Sequence, residues 1–231
     1  TGQALALHMD VDVLTFTGSG TTGRKLLEYS AQSNMKKTYQ ELGGKSPNIV
    51  FADTENLEEA AKVSTMGIFR NSGEVCVAGS RLLVEKEIHN EFLGMVYKFT
   101  KNLKIGDPLD LNNDIGAINS LSQLKSDLDF VEKAKSEGGK IEIGGNRVLE
   151  DSGGFYMEPT IISSVKQDTT IFQNEVFGPV LTVTPFENEN DAVELSNATA
   201  FGLASGLWTS NLSKAHRMIR KIKAGTVFVN T

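Results

Sequence analysis

The sequence predicts an α/β protein with a mainly parallel, open and twisted sheet that has helices on both faces. Segments rich in β-branched and apolar residues alternate with segments whose apolar residues recur at helical spacing. Parallel strands joined by helices of about 10 to 15 residues need right-handed crossovers, and these crossovers cover both faces of the sheet. The composition, with 39% hydrophobic and 23% charged residues among 231, is ordinary for a globular protein.

The first part of the chain alternates strand and helix. In chain order, the pattern predicts a strand at 11–17, a helix at 21–31, and strands at 37–42 and 48–51. A helix follows, which we expect Asp53 and Thr54 to cap and which runs to residue 69. Its apolar face consists of Leu57, Ala60, Ala61, Ser64 and Ile68.

The same alternation continues to the end of the chain. The predicted strands are 81–85, 140–143, 157–162, 180–185, 204–209 and a terminal strand after residue 225. The predicted helices are 88–101, 120–136, 190–197 and 212–222. The apolar positions at helical spacing in the last helix are Leu212, Ala215, Met218, Ile219 and Ile222.

Charge and cysteine content exclude several classes of function. The 23 basic and 29 acidic residues give a net charge of −6 without a long run of either sign, so we expect no nucleic-acid partner. No apolar stretch approaches the roughly 18 residues of a membrane span, and no signal segment opens the chain, so we expect a cytoplasmic protein. The single cysteine, Cys76, excludes an intramolecular disulfide, and we expect no metal site.

A glycine-rich turn and a glutamate form the first candidate site. The sequence FTGSGTTG at residues 16–23 follows a strand and opens a helix, so its N–H groups could face an anionic ligand or simply make a tight turn. Glu41 follows at a strand end, where a dinucleotide fold keeps a ribose-binding carboxylate. Because Gly43 and Gly44 allow a sharp turn, Glu41 could equally be a base or a solvated charge.

Two later segments could also carry chemistry. In NSGEVCVAGSR, residues 71–81, Cys76 has small neighbours that leave room for a carbonyl group, although a lone cysteine is often a buried apolar residue. In NEVFGPV, residues 174–180, Glu175 could accept bonds from sugar hydroxyls and Phe177 could pack on a flat heterocycle. A capping glutamate beside a core phenylalanine is the alternative.

Together and in this order, FTGSGTTG, ELGGKSP at 41–47, the Cys76 segment and the Glu175 segment resemble the aldehyde dehydrogenase superfamily over essentially the whole chain. The resemblance implies that Cys76 is the nucleophile and Glu41 the general base. It implies cofactor contacts, with NAD or NADP, from the residues Gly18, Ser19, Gly23, Leu42, Glu175 and Phe177. The implied reaction oxidises an aldehyde to a carboxylic acid through a thioester on Cys76.

The resemblance also implies how the chain is organised. Residues 1–42 would be the end of a cofactor-binding domain and residues 43–231 most of a catalytic domain. Because the chain lacks an initiator methionine and stops within a predicted strand, we expect it to be part of a longer protein and inactive alone. We expect that parent protein to be a homodimer or homotetramer. Glu74 stands where the family more often has glutamine, which adds a negative charge near the thiol.

Three alternatives remain open at this point. An ordinary dinucleotide-fold dehydrogenase would leave Cys76 idle, a thiol hydrolase or acyltransferase would need no nicotinamide, and an inactive domain would only pack against its missing half. The substrate is weakly constrained. Residues 33–37, 75–77, 208–209 and 212–217 look most like those of bacterial enzymes that oxidise γ-glutamyl-aminobutyraldehyde and related aminoaldehydes.

Overall fold

The computed structural model describes all 231 residues, which divide into two compact units, Thr1–Gly43 and Gly44–Thr231. This division lies one residue after the boundary expected from the sequence. The cofactor-binding and catalytic roles of the two units stay predictions.

The first unit is a small α/β layer. Its elements are α1 (Gly2–Leu7), β1 (Val13–Thr17), α2 (Gly20–Gln32) and β2 (Lys37–Glu41). Strands β1 and β2 pair in parallel, with Thr17 opposite Glu41. Helix α1 was not predicted, because it has only six residues and no capping side chain.

The second unit contains the main sheet. Its strands are β3 (Pro47–Val50), β4 (Arg81–Glu85), β5 (Lys140–Ile143), β6 (Arg147–Val148), β7 (Tyr156–Met157), β8 (Thr160–Ser163), β9 (Val180–Phe186), β10 (Ala204–Trp208) and β11 (Thr226–Val229). Its helices are α3 (Leu57–Phe69), α4 (His89–Lys101), α5 (Leu121–Ser136), α6 (Thr170–Gln173), α7 (Glu189–Ser196) and α8 (Leu212–Lys221), with 3₁₀ turns at Arg70–Gly73 and Glu150–Ser152. None of the helices is long and apolar enough to span a bilayer.

The sheet has seven strands in the order β11-β10-β3-β4-β9-β8-β5. All neighbouring pairs are parallel except β5 with β8. Both faces are covered. Val50 belongs to an apolar cluster with Phe92 of α4, whereas the preceding residue Ile49 packs in a cluster with Met218 of α8. This alternation is the two-residue period of a strand that is buried on both sides, and it confirms the predicted fold class.

Helix α3 begins later than expected and has a different cap. Asn56 accepts the N–H of Glu59, whereas Asp53 accepts a hydrogen bond from the Thr209 hydroxyl at 2.7 Å and pairs with Lys214 at 3.0 Å. The prediction of Asp53 and Thr54 as the cap was therefore wrong. Both segments carry residues that favour helix caps, but Thr209, just after β10, and Lys214 of α8 engage Asp53 instead.

Two further predictions need correction. The expected strand at 157–162 is two short strands, because Glu158 and Pro159 interrupt it and proline has no N–H for a ladder bond. In α8, Ala215 and Met218 are buried, but Leu212 is 73% exposed and Ile219 is 39% exposed. Leu212 is the first residue of the helix, and Ile219 lies beside the buried stripe rather than on it.

Candidate active site

The nucleophile segment begins with a left-handed turn. In the 3₁₀ turn Arg70–Gly73, three consecutive residues, Asn71, Ser72 and Gly73, have φ values of 52°, 56° and 74°. A side chain on Gly73 would overlap the backbone of Gly178, so only glycine satisfies both the φ angle and the close approach. Such backbone strain persists where the surroundings hold it, and it is common at functional sites.

Cys76 lies in the turn between this strained segment and β4, and it is half-buried. The Ala78 N–H donates to the Val75 carbonyl at 3.0 Å and closes the turn, whereas the Cys76 N–H has no acceptor within the chain. The Cys76 carbonyl oxygen packs so closely on Gly44 that a side chain there would collide with it. The turn thus presents a thiol and an unused N–H donor from the same residue.

The Glu175 segment approaches the same turn from the other side. Glu175 Oε1 accepts the Gly44 N–H at 2.9 Å, and its second oxygen accepts no hydrogen bond from the chain. Burial raises the Glu175 pKa above its ordinary value, although the Gly44 hydrogen bond and the Lys45 charge oppose this rise. Phe177 is half-buried and has a φ of 62°.

A small cavity lies between the two segments. Among the residues that line it are Gly44, Gly73, Val75, Ala78, Glu175 and Phe177. The structure therefore brings together the Cys76 segment and both residues singled out in the Glu175 segment, all within the second unit.

Two buried basic residues, each next in sequence to a residue that lines this cavity, were not identified from the sequence. Lys45 is 1% exposed, its Nζ has no hydrogen-bond partner, and burial together with Arg81 lowers its pKa to about 7, which Glu175 opposes. The Arg81 guanidinium donates to the carbonyls of Lys45, Leu195 and Ser196 at 2.6–2.8 Å. Burial lowers the Arg81 pKa to about 10. The only sequence signal was position, since Lys45 follows Gly44 and Arg81 opens an apolar strand.

Glu74, two residues before the thiol, is fixed by Asn119. One carboxylate oxygen of Glu74 accepts both the backbone N–H and the side-chain amide of Asn119. Burial raises the Glu74 pKa, and the two Asn119 hydrogen bonds oppose the shift. Asn119 thus fixes the position of the Glu74 side chain.

The first unit holds the remaining predicted residues. The Gly18 N–H donates to the Glu41 carbonyl at 3.0 Å, and Ser19 Oγ accepts the Thr22 N–H as the cap of α2. The N–H groups of Gly18 and Thr22 are therefore engaged within the chain, and neither is free for the anionic ligand that the sequence suggested. The N–H groups of the first two helical residues, Gly20 and Thr21, keep no acceptor within the chain.

Gly23, Leu42 and Glu41 have distinct environments within this unit. A side chain on Gly23 would meet the side chains of Gln40 and Leu42, so this glycine allows α2 to pack closely under the end of β2. Glu41 is exposed. The first unit thus joins the glycine turn to the Glu41 backbone, and it leaves the Glu41 carboxylate accessible.

Comparison with known proteins gives a consistent result. The model of the aldehyde dehydrogenase family matches residues 1–231. The NADP/NAD-dependent aldehyde dehydrogenase PuuC of Escherichia coli is 43% identical over 229 residues, which cover 99% of this chain and 46% of that protein.

Solved structures agree with the sequence comparison. The aldehyde dehydrogenase KauB of Pseudomonas aeruginosa is 48% identical with a TM-score of 0.98, and the match covers 100% of this chain and 46% of that one. The gamma-glutamyl-gamma-aminobutyraldehyde dehydrogenase of Burkholderia cenocepacia is 45% identical with a TM-score of 0.97, covering 99% and 46%. The chain thus spans about half the length of the relatives it matches.

Proposed function

Because the chain belongs to the aldehyde dehydrogenase family, we propose that it carries the nucleophile of an NAD(P)-dependent enzyme that oxidises an aldehyde to a carboxylic acid. One observation carries the proposal. Cys76, the only thiol, lies in a glycine-lined turn with an unused N–H donor, and this turn shares a cavity with Glu175 and Phe177.

The residues present fit a nicotinamide dinucleotide. The free oxygen of Glu175 can accept hydrogen bonds from ribose hydroxyls, and the half-buried ring of Phe177 offers a flat surface for a heterocycle. In the first unit, the unused N–H groups of Gly20 and Thr21 open a helix of 13 residues and suit a pyrophosphate. Such a dinucleotide would supply the acceptor for the hydride that leaves the substrate carbon.

Cys76 performs the covalent step. Its thiolate attacks the aldehyde carbon, an S–C bond forms, and the carbonyl oxygen takes up the negative charge. The N–H of Cys76 donates to that oxygen and stabilises the tetrahedral state. Loss of hydride from this carbon restores the carbonyl and leaves a thioester on Cys76.

Glu41 completes the cycle as the general base. Its carboxylate takes a proton from water while the water oxygen attacks the thioester carbonyl. The C–S bond then breaks, the carboxylic acid leaves, and Cys76 returns as the thiolate. An exposed carboxylate at a strand end is suited to this role, since water can reach it.

For the substrate, we propose an aminoaldehyde such as γ-glutamyl-aminobutyraldehyde. The similarity to the Burkholderia cenocepacia enzyme of that name supports this choice. The proposed cofactor is NAD or NADP, and the name of the Escherichia coli relative includes both.

The experiment uses the full-length protein that contains this chain. Wild type should form NAD(P)H when aldehyde is added, and Cys76→Ser should abolish this reaction. Glu41→Gln should keep a rapid burst of NADH and slow the steady rate, because acylation proceeds while deacylation lacks its base. Glu28→Gln, at another exposed glutamate of the first unit, is the matched control and should behave as wild type. Aldehyde oxidation by the Cys76 variant would refute the proposal, and thioester hydrolysis without NADH would favour a hydrolase.

A further inference from the structure

A buried carboxylic acid on α5 has no role in the chemistry described so far. Asp127 is 0% exposed, and its Oδ1 accepts a hydrogen bond from Gln123 Nε2 at 2.8 Å. Its Oδ2 has no partner. A side chain on Gly178 would overlap this carboxyl group, which therefore lies directly against the backbone of Gly178.

Helix α5 and the residue Asn119 just before it contact both segments of the candidate active site. Gln123 Nε2 also donates to the Val176 carbonyl at 2.9 Å, so Gln123 binds the chain just before Phe177 and Asp127 packs against it just after. Asn119, just before α5, binds Glu74 in the Cys76 segment. One stretch of α5 and its preceding loop thus connects the nucleophile turn with the Glu175 segment.

This contact matters because the Glu175 segment is strained. Phe177 has a left-handed φ of 62°, a conformation that residues with a side chain rarely adopt. Such a conformation persists only where neighbouring contacts hold it. On one side of Phe177 the contact is the Gln123 amide, and on the other it is the Asp127 carboxyl group.

Resting on the proposed dehydrogenase function, we propose that Asp127 is a positioning residue whose uncharged carboxyl group, packed against Gly178, keeps the segment from Glu175 to Gly178 in the conformation that binds the cofactor. Ionisation places a charge against Gly178 with no donor for Oδ2. The segment then moves to relieve that charge, and cofactor affinity falls.

The burial of Asp127 brings its ionisation close to neutral pH. Burial raises the Asp127 pKa to about 7, the Gln123 hydrogen bond opposes this, and the Glu74 charge adds to it. On α5 itself, Lys125 and Asp129 are exposed, and α6 has no ionisable side chain. The charged residue in the Glu175 segment is Glu175 itself, which accepts a hydrogen bond from the Gly44 N–H.

The test measures NADH and NAD⁺ binding to the full-length protein by calorimetry between about pH 6 and 8.5. For wild type, we expect the dissociation constant to rise by about fivefold or more as pH increases through 7. Asp127→Asn, which keeps the shape and stays neutral, should bind as wild type does at pH 6 and lose this rise. Asp129→Asn, an exposed change two residues along the same helix, should keep the wild-type profile.

The Asp127→Asn variant separates the effect of Asp127 from that of Lys45, which also titrates near pH 7 beside Glu175. An Asp127→Asn profile identical to that of wild type would overturn the proposal. Should that variant fail to fold, Glu74→Gln provides a second test, because removing this negative charge should move the midpoint of the profile to lower pH; an unchanged midpoint would contradict the proposal. Tight but pH-independent cofactor binding by the wild type would reject only the role of Asp127 and leave the proposed function standing. Absence of cofactor binding and of NADH formation would reject the proposed function itself.

Discussion

Replacing Lys45 by methionine should stabilise the folded chain, and most strongly at low pH. Lys45 is 1% exposed and its ammonium group has no hydrogen-bond partner. Its pKa is about 7 in the folded chain against an ordinary value of 10.5. Between these two values the unfolded chain binds a proton that the folded chain does not, so the wild-type stability that depends on Lys45 rises with pH.

The magnitude follows from the two pKa values. Proton linkage makes the contribution of Lys45 about 3 kcal/mol more favourable at pH 9.5 than at pH 6.5. Methionine has a similar volume and no charge, so the stabilising effect of Lys45→Met should be larger at pH 6.5 by this amount. Urea unfolding of the 231-residue chain measures it, with the fluorescence of Trp208 as the probe. This sole tryptophan is buried in β10 of the second unit.

Lys62→Met is the matched control, because Lys62 lies on the exposed face of α3 with a side chain that is 60% exposed. Its effect on the free energy of unfolding should be small at both pH values. A difference between Lys45→Met and wild type that does not change from pH 6.5 to 9.5 would refute the reasoning, since it would mean that the Lys45 amine keeps an ordinary pKa in the folded chain.

Two further predictions concern the segments that flank the cavity. Gly73→Ala should destabilise the chain by about 2 kcal/mol or more, because the new side chain meets both a positive φ and the opposing backbone. Gly94→Ala, in α4 with open space around it, should instead be neutral or stabilising by up to about 1 kcal/mol; equal losses in urea unfolding would contradict the backbone explanation. In the full-length protein, Glu175→Gln should weaken NAD⁺ binding about tenfold in calorimetry while alkylation of Cys76 by iodoacetamide continues at the wild-type rate. Unchanged affinity would remove Glu175 from the cofactor site.

The sequence predicted the sheet well where local pattern and tertiary environment agree. Apolar strands such as β3 and β4 are buried on both faces, and such strands give continuous apolar runs that are easily recognised. The sequence could not predict that β5 is antiparallel to β8, because the residue pattern of a strand is the same whether it pairs in parallel or antiparallel. Asp53 and Asn56 are both favourable helix caps, and only contacts from distant residues made Asn56 the cap.

The candidate site was predictable in part for similar reasons. Cys76, Glu175 and Phe177 lie in glycine-bearing turns whose residue types are visible in the sequence, and the structure places their segments around one cavity. Lys45, Arg81 and Asp127 were missed because charged residues are usually exposed. Their burial results from packing against elements far away in the chain, such as the Arg81 bonds to carbonyls at the end of α7.

The most direct test of the account is to trap the acyl intermediate in the Glu41→Gln variant of the full-length protein. The variant would be mixed with NAD⁺ and aldehyde, quenched in acid after the NADH burst, digested, and analysed by mass spectrometry. The account predicts that the peptide containing Cys76 gains the mass of the aldehyde less two hydrogen atoms, in an amount equal to the NADH formed. An NADH burst with an unmodified Cys76 peptide, or with the acyl group on another residue, would contradict the assignment of Cys76 as the nucleophile.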